Sequence, residues 1–293
     1  MNCFLTNCIK MKHSNLLKLL SVGLLLGMFA CSHDEDEPEN NTPKKEQEGQ
    51  NGQNEQKEQQ EDKTAYNYYG AEIYTKESFK YGRFEAKMKM AYASGCISSM
   101  FLYYNDSYMG NGKNWNELDI EVIGKNQLGF QSNIITGTSS RKVTSEQKHS
   151  LSYPVDEDYH VYVMEWTPDY VAWLVDGKEV RRTEAGDSKN QIASLVESQS
   201  LRFNLWASGT TSWVGKLNPN DIPATQYIDY VKVYSYDEES KSFSELWTDD
   251  FDSFSSSRWG RGNWSMELVT EKVANVVVED GVLQLRLTKE LKK

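Results

Sequence analysis

Between Ala65 and Lys293 the chain holds a single cysteine, Cys96, so no disulfide is expected in that stretch. It has no basic stripe. With 32 Lys and Arg against 43 Asp and Glu, and a net charge of −11, nucleic acid is an unsuitable partner and a neutral polymer a more natural one. No apolar run is suited to spanning a bilayer, since Leu16 to Ala30 is short and interrupted by Lys18. Helical periodicity is nearly missing, and only Asn190–Ser198 looks helical, weakly. From Ser32 to Thr64 aliphatic and aromatic side chains are almost absent, and eleven acids and four lysines sit among Asn, Gln, Gly and Pro. Such a segment cannot bury a core and is predicted to be a disordered tether.

What is present begins with a leader. Residues 1–30 carry Lys10, Lys12 and Lys18, no acid and the apolar run, the composition of a secretion signal. Met28-Phe29-Ala30-Cys31 is similar to a bacterial lipobox, with Cys31 as the lipidated membrane anchor; an ordinary cleavage site beside an incidental cysteine is the alternative. The acidic run Ser32 to Glu37 is similar to the export signal of surface-exposed lipoproteins in some Gram-negative bacteria, or is a soluble spacer. The expected location is the outer membrane, on the cell surface or facing the periplasm.

The most informative stretch is Trp115-Asn116-Glu117-Leu118-Asp119-Ile120-Glu121. Strict alternation predicts a half-buried strand with Glu117, Asp119 and Glu121 on one face and Leu118 and Ile120 on the other. Cα atoms four residues apart on a strand are about 13 Å apart, and each Glu carboxylate reaches roughly 4 Å, so about 5 Å remains if the two lean together. That spacing suits retaining glycosidases, whereas inverting enzymes need about 6.5–9.5 Å. Asp119 between them could hold or relay a proton, and crowding raises one carboxyl, giving an acid and a nucleophile from one residue type. The alternative is an exposed, solvated acidic face.

Short runs rich in β-branched and aromatic residues recur along residues 65–293: Ala71–Lys76, Arg83–Met90, Ile97–Tyr104, Glu117–Ile123, Gly129–Thr136, His160–Trp166, Val171–Asp176, Leu201–Trp206, Tyr227–Tyr236 and Val282–Thr288. Asp176-Gly177 and Asp280-Gly281 are turn signals. They predict one all-β domain, a sandwich of two sheets. In a concave sheet beside the acids, Tyr103, Trp115, Trp206, Trp213, Trp259 and Trp264 would stack on sugar rings, although core packing suits any single Trp as well.

At Glu117 to Glu121 the chain resembles glycoside hydrolase family 16, the β-jelly-roll endoglucanases, and the likeness extends over residues 65–288. Gly70-Ala71-Glu72-Ile73-Tyr74, Tyr81 to Met88, Gln131-Ser132-Asn133, Glu165-Trp166-Thr167-Pro168, Val175-Asp176-Gly177 and Asn204-Leu205-Trp206 fall in family order. Trp247 to Asp252, Ser257-Arg258-Trp259 and Val278 to Leu285 resemble the opening strands of ordinary members but come last, as in circularly permuted bacterial lichenases. Residues 246–293 would then be displaced N-terminal strands, with Asp237–Ser244 as the new bridge; the rival view is a separate C-terminal module.

The resemblance implies Glu117 as nucleophile, Glu121 as general acid/base and Asp119 as the assisting acid. It implies a cleft lined by Glu72, Phe101, Tyr103, Asn133, Arg202, Trp206 and Trp264. Lys142, Ser265 and Cys96 depart in type from the family pattern. A structural calcium ion with ligands at Asp229, Asp250 and the carbonyl of Gly281 is also implied, with plain turn chemistry as the alternative. The expectation is a monomeric, retaining endo-hydrolase of mixed-linkage β-1,3-1,4-glucan without a catalytic cofactor. A β-1,3-glucanase, a xyloglucan-active relative and a non-catalytic glycan-binding lipoprotein are the alternatives.

Overall fold

The computed structural model describes residues 65–293. The predicted leader, the lipidation at Cys31 and the acidic tether lie outside the described residues. Eighteen strands follow one another: β1 (Tyr66–Thr75), β2 (Gly82–Lys89), β3 (Cys96–Tyr103), β4 (Glu117–Ile123), β5 (Gly129–Thr138), β6 (Arg141–Thr144), β7 (Gln147–Ser150), β8 (His160–Trp166) and β9 (Tyr170–Val175). The second half comprises β10 (Lys178–Glu184), β11 (Ser200–Ala207), β12 (Ala224–Asp237), β13 (Ser242–Asp249), β14 (Trp259–Arg261), β15 (Ser265–Met266), β16 (Val269–Glu271), β17 (Val276–Glu279) and β18 (Val282–Leu291). The predicted helical stretch narrows to a single turn, α1 (Gln191–Ser194), and a second turn, α2 (Thr211–Val214), was not anticipated.

The strands form the predicted jelly-roll sandwich. One antiparallel sheet runs β14–β1–β11–β3–β4–β5, with β6 and β7 both paired to β5. The other runs β17–β18–β12–β2–β8–β9–β10, and β13 continues beside the second half of β12. Alternation places the core between them. Phe84, Ala86 and Met88 of β2 meet Leu118 and Ile120 of β4, Phe203 and Leu205 of β11, and Leu283 and Leu285 of β18, all fully buried in one cluster. Each such large apolar side chain contributes about 1.5–3 kcal/mol on leaving water.

Turn chemistry sets the hairpins where the sequence signals it. Asp176 and Gly177 both have positive φ between Val175 and Lys178, as do Asp280 and Gly281 between Glu279 and Val282. Both are two-residue turns whose twist matches the flanking strands.

Within Asp237–Ser244, β12 and β13 pair directly from Asp237 opposite Ser242, leaving residues 238–241 as the turn. Its charged residues are those of an exposed hairpin tip. The last residues join the same sheets, against the rival view of a separate module: β14 and β16 pair with β1, and β18 pairs with both β1 and β12.

Candidate active site

Four neighbouring strands of the first sheet turn alternate residues away from the core. The register sets Tyr74 beside Arg202, Arg202 beside Phe101 and Phe101 beside Asp119, one row across β1, β11, β3 and β4. A second row joins Glu72, Asn204, Ser99 and Glu121. Glu117 lies opposite Tyr103. These side chains line a cavity of about 770 Å³, with Trp264, Ser265 and Met266 contributing beside β1 and Trp115 beside β4. The expected acids thus face one open cleft, while Leu118 and Ile120 on the same strand are fully buried behind them.

The three carboxyls differ in their surroundings. The indole Nε1 of Trp115 donates to Glu117 Oε2 at 2.6 Å. Burial raises the Glu117 carboxyl, but that hydrogen bond, the charges of Lys142 and Arg202 and a hydrogen bond from Asp119 oppose the rise. Burial, followed by repulsion from Glu117 and Glu121, holds Asp119 well above the usual carboxylate range, and Asp119 shares a hydrogen bond with Glu117. Burial also pushes Glu121 up to about 7, against the donation from Gln131 Nε2 to its Oε2 at 2.6 Å. Gln131 Oε1 in turn accepts from Trp213 Nε1 at 3.2 Å. Burial raises both glutamates, but Glu117 meets more opposing contacts than Glu121, and an acid and a nucleophile of one residue type need surroundings that differ.

A second group sits on the β1 side. Arg202 pairs with the buried Glu72 at 2.7 Å and donates to Asn105 at 2.8 Å. Its guanidinium lies against the rings of Tyr74, Tyr103 and Trp264. Glu72 is also raised by burial, opposed by Arg202.

Six of the seven cleft residues implied by the resemblance line this cavity: Glu72, Phe101, Tyr103, Arg202, Trp206 and Trp264. Asn133 lies opposite Asp119 on β5, is buried, and accepts from the Ser145 N–H at 3.0 Å, so it borders the cleft floor without lining the cavity. Trp259 is corrected to a core residue. It is 1% exposed, packs on Phe203, Trp247 and Phe251, and donates to Asp249 at 2.9 Å. Trp213 binds Gln131 and packs with Trp206 rather than lining the cavity. Gln131 itself was not singled out, although it is the first residue of the quoted Gln131-Ser132-Asn133 motif and directly faces Glu121. Tyr74, Ser99, Asn105, Tyr108, Asn204 and Met266 were missed as lining residues.

The departures acquire places. Lys142 Nζ stands over the Trp115 ring, 3.2 Å from its centroid, and its charge acts on Glu117 and Asp119. Ser265 is exposed on the cleft rim. Cys96 opens β3 as a buried thiol, pushed up to about 12 by burial, and is therefore inert.

The implied calcium ligands are oxygen donors of the right kind, and the register brings them toward one edge: Ile228 pairs with Leu283, and Val231 with Asp249. The cation beside the Asp229 carboxylate, however, is Lys87 Nζ at 2.6 Å. Among the described residues no group of three His, Cys, Asp or Glu side chains could hold a metal.

The chain is similar to several known proteins. A beta-glucanase of Fibrobacter succinogenes is 48% identical over 235 residues, covering 78% of this chain and 66% of that protein. A beta-glucanase of Acetivibrio thermocellus is 33% identical over 58% of this chain and 47% of its own length, so the chain spans only about half to two thirds of these relatives. Among solved structures, a Bacillus licheniformis beta-glucanase aligns at 26% identity with a TM-score of 0.47, covering 57% of this chain and 71% of that one. A β-1,3-1,4-glucanase from a mouse hindgut metagenome aligns at 28% identity and a TM-score of 0.46, covering 57% and 79%. The family model described as Glycosyl hydrolases family 16 matches residues 40–232, a span that contains Glu117, Asp119 and Glu121, and the chain belongs to that family.

Proposed function

We propose that the chain is a retaining endo-hydrolase of mixed-linkage β-1,3-1,4-glucan. The observation that carries this reading is the unequal pair on one strand: Glu117, hydrogen-bonded by Trp115 and Asp119, and Glu121, pushed up to about 7, facing the same cleft. Glu121 gives its proton to the departing glycosidic oxygen while Glu117 attacks the anomeric carbon. Glu121 then takes a proton from water, which releases the glycosyl-enzyme with net retention. Asp119 steadies Glu117 and keeps a third negative charge out of the site.

The test measures reducing sugar released from barley glucan, laminarin and xyloglucan, together with the anomeric form of the first product. Fast cleavage of barley glucan with retained configuration is expected. Preference for laminarin or xyloglucan would replace the substrate, and binding without any product would favour a glycan-binding lipoprotein. Glu117→Gln should abolish turnover while leaving polymer binding in place.

The rest of the reading follows from the same chain. Residues 65–293 act as one catalytic domain, monomeric and held by lipid on Cys31 at the outer membrane. Residues 246–293 are N-terminal strands displaced by circular permutation, which their pairing with β1 and β12 supports. Calcium at Asp229, Asp250 and Gly281 is a structural tie between those strands, with no part in the chemistry.

A further inference from the structure

A second cavity, of about 970 Å³, lies on the other side of the short β15–β16 hairpin. Ser265 lines both this cavity and the catalytic cleft, so the two share a rim. Its wall on β1 is built from Tyr66 and Tyr68, two residues apart on one face of the strand, both half-buried, with ring centroids 6.3 Å apart. Leu268, 42% exposed, adds apolar surface at the hairpin tip. The Glu267 carboxylate is held in place by Ser208 Oγ at 2.6 Å and the Gly209 N–H at 2.9 Å, and the exposed Asn67 contributes an amide to the rim.

Partly exposed aromatic rings, that of Tyr66 also bearing Lys289 Nζ at 4.8 Å from its centroid, combined with fixed polar groups suit a sugar, whose ring has an apolar face and a hydroxyl-bearing edge. A single-sign charged ligand is less well served. The ionisable lining residues are Lys216, Glu267 and Lys292, of mixed sign, and Glu267 already has its donors. A polymer leaving the cleft past Trp264 would cross Ser265 and enter this space directly.

We propose that the groove formed by Tyr66, Tyr68, Glu267 and Leu268 is a second binding site for the same neutral β-glucan chain, a continuation of the cleft that holds glucose units beyond Trp264. This rests on the reading of the cleft as a β-glucan site. The groove makes no contact with Glu117 or Glu121, so it acts on binding of long chains and not on the chemical step.

The test compares Tyr66→Ala with the unaltered protein on barley mixed-linkage glucan and on a short mixed-linkage oligosaccharide. Retardation in gels containing the polymer is measured in a Glu117→Gln background. Tyr66→Ala should raise the polymer KM and the apparent polymer Kd about fivefold, with short-substrate kcat/KM changed by less than about twofold. Tyr68 also touches the core, so Tyr68→Leu, with its melting temperature checked, serves as the second variant. Unchanged polymer affinity in both variants would overturn the groove, as would an equal loss on short and long substrates. If the unaltered protein binds polymer without cutting it, and Tyr66→Ala weakens that binding, the groove stands and hydrolysis is the reading that fails.

Discussion

The Lys142 ammonium sits on the face of Trp115, 3.2 Å from the ring centroid, while the edge of the same indole donates to Glu117 at 2.6 Å. The cation therefore holds the residue that holds Glu117, and its own charge lowers the Glu117 carboxyl. Its place on β6, opposite Gly137 of β5, brings it over the acids.

Replacing Lys142 with Gln removes a nearby positive charge, which raises the Glu117 carboxyl. The acid limb of the kcat/KM profile should therefore move to higher pH, by about half a unit to one unit, with the alkaline limb little changed. Lys142→Arg should restore the acid limb. A profile unmoved in the Gln variant would show that Lys142 acts only on the ring.

Gln131 acts on the opposite limb. Its amide donates to Glu121 and so favours the ionised form, holding Glu121 lower than burial alone would. Gln131→Leu should shift the alkaline limb upward by about one unit and lower kcat about tenfold, because Glu121, the proposed acid/base, loses its orienting partner. A downward shift would contradict this arrangement.

Glu271 lies behind Glu72, is 2% exposed, and among the described residues neither of its carboxyl oxygens has a hydrogen-bond partner. Burial first, then the neighbouring Glu72, pushes it up to about 9 from its ordinary 4.5. The folded-state value is raised, so stability is full below pH 4.5 and falls as pH rises toward 9, the unfolded chain ionising first. Glu271→Gln should remove this slope and stabilise the protein at pH 7 by about 2–3 kcal/mol, with no gain at pH 4. Chemical denaturation of both forms at the two pH values is the check, and an equal difference at each would refute it.

If calcium ties the strands at Asp229, Asp250 and Gly281, its removal by chelator should lower the melting temperature by about 5 °C or more, and calcium but not magnesium should restore it. Asp250→Ala should abolish the response. A melting curve indifferent to calcium would leave Lys87 as the only cation that Asp229 needs.

The ten strands read from the sequence are present with boundaries shifted by a few residues, because each has a face that must leave water. Of the other eight, β13, β14 and β17 overlap the segments likened to opening strands, β15 and β16 are only two and three residues long, and β6, β7 and β10 were not anticipated. Their residues are largely exposed, as in Arg141-Lys142-Val143-Thr144, and a strand without a buried face leaves no alternation to detect. Trp259 and Trp264 were equivalent as letters, five residues apart. Packing on Phe203 made the first a core residue, while the second is 36% exposed beside Tyr74.

By itself the sequence determined which chemistry was available: acids two residues apart on one strand can only share a side, because successive residues of a strand alternate. It determined the all-β class for the same reason. Tertiary structure alone decided what each acid meets. Trp115 is its neighbour's partner in the chain, but Lys142, Gln131 and Arg202 reach Glu117, Asp119 or Glu121 only because β6, β5 and β11 pair in one particular register. Carboxyls of one type separate in proton affinity through burial and those non-local contacts, neither of which exists until the sheet has closed over its core.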